Sequence, residues 1–230
     1  MEKNQYELCL EVLRRLNQAG VLNDIMLIGS WSLLFYKEYF FGFTYSPAIR
    51  TRDIDFLVPD PNKIYGQTDV PTLLKDLGFI VSFSGSKGYI KLEHPDLLIE
   101  FLSPEKGRGT DEPVNIPRLG VNAIALRYLK FLVEGAINVK VEGFTICLPH
   151  PANFALHKLI IFQRRVNKEK AEKDRGAAIM LLRALIRKGD SKIIRSLFDS
   201  IPLRWQKSVL MGLQNVEHKD ILSLLRVELV

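Results

Sequence analysis

Cys9 and Cys147 are the only cysteines in the chain. They are too few for a disulfide framework or a cysteine-based zinc site. Histidine is also scarce, at 4 residues. His150 and His157 stand seven apart, but Pro151 lies between them and no acid or cysteine completes a zinc set. Both read as structural. No apolar run is long enough to span a bilayer. The first residues are polar and then amphipathic, without a signal-peptide pattern. Internal repeats and low-complexity tracts are absent. A reduced, cytoplasmic setting with no membrane partner is expected.

What is present is an ordinary globular composition, 47% hydrophobic and 25% charged over 230 residues. That is enough apolar material for a core without staples. The charge is uneven. Residues 1–150 carry 16 Lys and Arg against 18 Asp and Glu, a net of −2. Residues 151–230 carry 16 against 8, a net of +8. A basic segment suits a polyanion such as RNA, and it equally suits a solvated set of amphipathic helices.

Periodicity gives the order of elements. Leu8, Val12, Leu13 and Leu16 are spaced for a helix over 4–19. A short buried strand, 24–28, leads into Gly29-Ser30, and an aromatic-rich helix over 31–40 follows. Residues 41–49 read as a loop, and Asp53 to Val58 as a strand stopped by Pro59-Asp60-Pro61-Asn62. A helix over 70–77 precedes a hairpin of 79–84 and 89–93 around Gly85-Ser86-Lys87-Gly88, which lacks the spacing of a phosphate loop. Residues 97–102 form a buried strand broken by Glu100, and 103–117 a long loop. Tyr128–Val133, 136–141 and 144–148 read as strands, the last two joined by Glu142-Gly143. Beyond Pro149-His150-Pro151 the pattern is helical over 152–166, 169–188, 190–199, 202–215 and 218–227. The expected organisation is one domain over 1–150 and a basic α-helical domain over 151–230. Trp31 and Trp205 read as core or interface residues.

The chemistry concentrates between Gly29 and Asp55. Glycine permits a tight turn and close backbone approach to a ligand. Ser30 suits a helix start, whose unpaired amides attract phosphate. On the strand that follows, Asp53 and Asp55 share one face and Ile54 takes the other. Two carboxylates so placed can claw Mg²⁺, or can pair with Arg50 or Arg52. Glu100 is a third acid in an apolar strand, where an unpaired charge is costly.

Gly-Ser at a strand-to-helix turn, Asp-x-Asp on the next strand and an acid on a later strand resemble the nucleotidyltransferase superfamily of the DNA polymerase β type. The spacing departs from it: 22 residues separate Ser30 from Asp53, and the aromatic segment 35–49 accounts for the excess. The resemblance implies an α+β fold, a mixed-sheet nucleotidyltransferase domain followed by a C-terminal helical bundle. It implies nucleoside triphosphate as substrate and Mg²⁺, or Mn²⁺ in its place, on Asp53, Asp55 and Glu100. Gly29 and Ser30 would hold phosphates. Phe154-Ala-Leu-His157-Lys158, then Arg164-Arg165, then Lys173-Asp174 are similar to nucleotidyltransferases related to abortive-infection toxins. That likeness implies phosphate contacts for Lys158 and Arg164 and catalytic support from Asp174. Lys158 and Arg165, seven apart, would then share a helix face. The implied activity moves a nucleotidyl group to an acceptor hydroxyl. RNA (a tRNA end above all), an aminoglycoside-like small molecule and a protein hydroxyl are all compatible acceptors. A toxin role would imply a cognate antitoxin protein. A nucleotide-binding scaffold without turnover is the non-enzymatic alternative.

Overall fold

The computed structural model describes residues 3–47, 51–107, 109, 112–214 and 219–225. The chain forms two units, Met1–Tyr39 with Ala48–Pro149, and Phe40–Pro47 with His150–Val230. The first is built on a mixed sheet and the second is helical, which is the α+β class expected.

In the first unit, α1 (Lys3–Gln18) buries Cys9, Val12, Leu13 and Leu16 along one face. Then follow β1 (Met26–Ile28), α2 (Ser30–Tyr39), β2 (Asp53–Leu57), α3 (Val70–Leu74), β3 (Ile80–Ser84), β4 (Tyr89–Glu93) and β5 (Leu98–Pro104). After them come β6 (Val114–Ile116), β7 (Val121–Leu126), α4 (Lys130–Val133), β8 (Ile137–Val141) and β9 (Phe144–Leu148). The sheet runs β1-β2-β5-β4-β3, with β7 pairing β5 and β6 pairing β7. β2–β5 and β5–β7 are parallel, and the other pairs are antiparallel. β8 and β9 form a separate hairpin, closed by Glu142 and Gly143 at φ 44° and 89°. Positive φ at both central residues is what a two-residue hairpin of this twist requires.

Alternation along β2 and β5 anchors the sheet. Ile54, Phe56, Ile99 and Phe101 are buried on one face, and the Phe56 and Phe101 rings stack at 5.8 Å. Each such phenylalanine contributes about 2–3 kcal/mol through burial. Their burial fixes which way the intervening acids point.

Two expectations change in this unit. Residues 128–133 are a turn and a short helix, because Tyr128 takes φ 71° and α4 begins at Lys130. Leu129 and Leu132, three apart, both enter a cluster with Met26, Ile28, Leu57 and Leu102, which is helical spacing. The strand of this region is β7, upstream. The stretch 103–117 is not loop throughout: β5 reaches Pro104, and β6 pairs β7 with Ile116 buried.

The second unit holds α5 (Pro151–Ile161), α6 (Lys168–Lys188), α7 (Ser191–Ser200), α8 (Leu203–Gly212) and α9 (Lys219–Leu225). His150 opens α5, its Nδ1 accepting from the Ala152 amide at 3.1 Å, with Pro151 in the first turn. Asn167 caps α6 by accepting from the Lys170 amide at 3.0 Å. Every residue of α5 from Pro151 to Ile160 is buried, the mark of a central helix. Phe40–Pro47 belongs to this unit. Phe40 and Tyr45 rings lie 4.6 Å apart, and Arg187 donates to the Thr44 carbonyl at 3.1 Å. The expected single helix over 152–166 is corrected. α5 stops at Ile161, Phe162–Arg164 is a 3-10 turn, and Arg165 is extended at φ −70°, ψ 123°. In 163–167 the one apolar residue, Val166, is exposed, so no apolar face holds the run helical. Among the described residues no helix is long and apolar enough to cross a membrane.

Candidate active site

Register brings the sheet unit's acids together. Asp53 and Asp55 are two apart on β2, and Ile54 between them is fully buried on the other face. Asp55 pairs in register with Ile28 on one side and Glu100 on the other. Asp53 pairs with Leu98. The three carboxylates therefore stand on one sheet face, in two adjacent rows about 4.8 Å from strand to strand.

Gly29 lies close against the Asp55 side chain. It adopts φ +73°, and a Cβ there would overlap Asp55 Oδ2 and press on its Cγ at 3.1 Å. Glycine is thus required twice, for the left-handed backbone and for the space the carboxylate fills. Ser30, partly buried, is the first residue of α2, and Ser32 is buried with its hydroxyl donating to the Leu27 carbonyl at 3.0 Å. The first turn of α2 begins at Ser30, directly after the glycine that meets Asp55.

Of the two arginines weighed as salt-bridge partners, Arg52 donates to the His94 carbonyl at 2.7 Å. Arg50 lies outside the described residues. The Asp53 amide donates to Thr51 Oγ1 at 3.1 Å, which steadies the strand entry. Glu100 is held differently: Lys91 of β4, its register neighbour, reaches it with Nζ–Oε1 2.9 Å. Among the described residues no three His, Cys, Asp or Glu groups are drawn together closely enough to hold a metal ion. The donor set still fits Mg²⁺ bound with a nucleotide, since that ion takes one or two carboxylates and completes its octahedron with water and phosphate oxygens. Lys91 was not among the residues singled out in the sequence. Its alternation with Leu92 on β4 was visible, but the register that sets it beside Glu100 is a long-range property.

In the helical unit, Lys158 and Asp174 meet as a buried pair, Nζ–Oδ1 2.6 Å. The second arm comes from Arg165, Nε–Oδ2 2.8 Å, whereas Arg164 sits exposed on the 3-10 turn. Lys158 and Arg165 thus converge through a shared carboxylate and not through helical periodicity. Lys158 Nζ also lies 5.3 Å from the Phe154 ring. Burial opposes charge on Asp174, but the Lys158 ammonium and the Arg165 guanidinium outweigh it and hold its carboxyl below the usual range. His157 is buried, with Nε2 unpartnered. Burial first, and then Lys158, lower its pKa to about 3, so it is a neutral core residue at ordinary pH. Trp31 is wholly buried in the sheet unit.

A family model described as nucleotidyltransferase matches residues 7–197. No curated protein matches the chain. Among solved structures, the chain is similar to ANT(2'')-Ia crystallised with adenylyl-2''-tobramycin, at 14% identity and TM-score 0.50 over 85% of this chain and 95% of that one. It is also similar to an antigenic nucleotidyltransferase-like protein from Paracoccidioides brasiliensis, at 15% identity and TM-score 0.49 over 96% and 91%. The match across the sheet unit and most of the helical unit settles the family: this chain is a nucleotidyltransferase, an enzyme of that family.

Proposed function

We propose that the chain transfers a nucleoside monophosphate from a nucleoside triphosphate to a hydroxyl of RNA, in a Mg²⁺-dependent reaction. The observation that supports the reading is the close approach of Gly29, at the turn into α2, to the Asp55 carboxylate, with Asp53 two residues away on the same strand face. Asp53 and Asp55 would hold Mg²⁺, with Mn²⁺ as a substitute. When bound, the ion supplies charge neutralisation on the triphosphate oxygens. Ser30 and the first amides of α2 bind and orient the phosphates. Glu100 takes the proton of the acceptor hydroxyl, whose oxygen forms the new bond to the α-phosphorus as the bond to pyrophosphate breaks.

The excess of cations in residues 151–230, 16 against 8 acids, supports a polyanionic acceptor. Exposed Arg164 belongs to that electropositive surface, and the buried Lys158–Asp174–Arg165 cluster to the framework of its unit. Where the acceptor is a tRNA end and its modification arrests growth, the chain acts as a toxin that a cognate antitoxin protein must restrain. The experiment is direct. Purified chain is incubated with each labelled triphosphate, Mg²⁺, and either total RNA or an aminoglycoside panel. Label in RNA supports the reading. Label in an aminoglycoside alone assigns a small-molecule acceptor, and no label in either contradicts transfer.

A further inference from the structure

Among the described residues on the sheet face of Asp53, Asp55 and Glu100, Lys91 is a cation in register with an acid, and its position is informative. Four strands contribute to one cross-sheet row, Ile28 of β1, Asp55 of β2, Glu100 of β5 and Lys91 of β4, each in register with the next. Lys91 Nζ is 2.9 Å from Glu100 Oε1, with the two side chains 22% and 18% exposed. On its other flank Lys91 is in register with Ser82, whose hydroxyl donates to Glu93 at 2.6 Å. The lysine therefore faces Glu100 with no acid opposite it on β3. Two carboxylates side by side, Asp55 and Glu100, repel unless a cation sits on them. In two-metal phosphoryl-transfer sites that cation is a second divalent ion.

We propose that Lys91 takes the place of a second divalent cation in this enzyme. Its ammonium neutralises Glu100 and keeps that carboxylate out of metal coordination, leaving one ion on Asp53 and Asp55. Lys91 acts here as a positioning residue for Glu100. The inference rests on the assignment of Asp53 and Asp55 to a metal–nucleotide complex.

The test counts Mn²⁺ bound per chain, by electron paramagnetic resonance titration with a saturating non-hydrolysable triphosphate. The unaltered chain should bind one Mn²⁺. Lys91→Met should bind two, because Glu100 is released, and Lys91→Met with Glu100→Gln should return to one. Lys91→Arg keeps the charge and should bind one. Two Mn²⁺ on the unaltered chain, a count that needs no variant, would overturn the inference while leaving the Asp53–Asp55 reading intact. One Mn²⁺ on a folded Lys91→Met would overturn it too. No Mn²⁺ on the unaltered chain would overturn the underlying reading and this inference with it.

Discussion

Gly29 and Asp55 are matched in shape: the carboxylate of one occupies the volume where the other would carry a side chain. Their strands pair so that Ile28, next to the glycine, is in register with Asp55. Gly29→Ala must therefore both strain a φ of +73° and push the carboxylate away. The backbone strain alone costs about 1–2 kcal/mol. The variant should fold, with a midpoint shift of that size in urea, and should lose Mg²⁺-dependent nucleotide binding in calorimetry. Wild-type nucleotide affinity in folded Gly29→Ala would refute the role given to this contact.

Asp174 should behave as a framework residue. Its removal leaves the Lys158 ammonium, buried with it, without an anion. Breaking one side of such a buried pair costs about 3–5 kcal/mol. Asp174→Ala should accordingly lower the denaturation midpoint far more than Asp53→Ala, whose carboxylate is only partly buried. Equal midpoints for the two variants would return Asp174 to a purely catalytic role.

His157 predicts an acid limb of stability. Its folded pKa, about 3, lies below the ordinary value of 6.5, so the unfolded chain takes up a proton that the folded chain refuses. The sign is fixed by linkage: stability is full above about pH 6.5 and falls as pH drops towards 3. Between pH 7 and pH 5 the loss is about 2 kcal/mol. Asp174, with a depressed pKa, adds its own loss at lower pH, as the solution falls through the carboxylate range. Urea unfolding of His157→Gln at the two pH values should show a clearly flatter dependence than the unaltered chain.

Much of this architecture was legible in the residues. Gly29, Asp53 and Asp55 declare themselves locally, because a glycine turn and a period of two need only neighbouring residues to be read. The hairpin of β3 and β4 and the helices after Pro149 were equally local. What escaped was long-range. Tyr128 to Val133 looked β-prone, but the positive φ of Tyr128 and the pocket waiting for Leu129 and Leu132 overrode that propensity. Arg165 reaching Asp174, and Lys91 reaching Glu100, depend on where a helix stops and on strand register. Neither is written in spacing.

If RNA is the acceptor, binding should weaken steeply with salt. A surface that neutralises several phosphates loses affinity linearly in the logarithm of salt concentration. Filter binding between about 50 and about 200 mM salt should show at least a roughly tenfold fall. Salt-independent binding would count against a polyanion.

The most direct measurement is label transfer by Asp53→Ala beside the unaltered chain, with Mg²⁺ and labelled triphosphate. The account predicts transfer by the unaltered chain and none by the variant, with matching circular dichroism, because the substitution removes a metal ligand and no core volume. Transfer by folded Asp53→Ala at the unaltered rate would contradict the assignment of Asp53 and Asp55 as the catalytic pair.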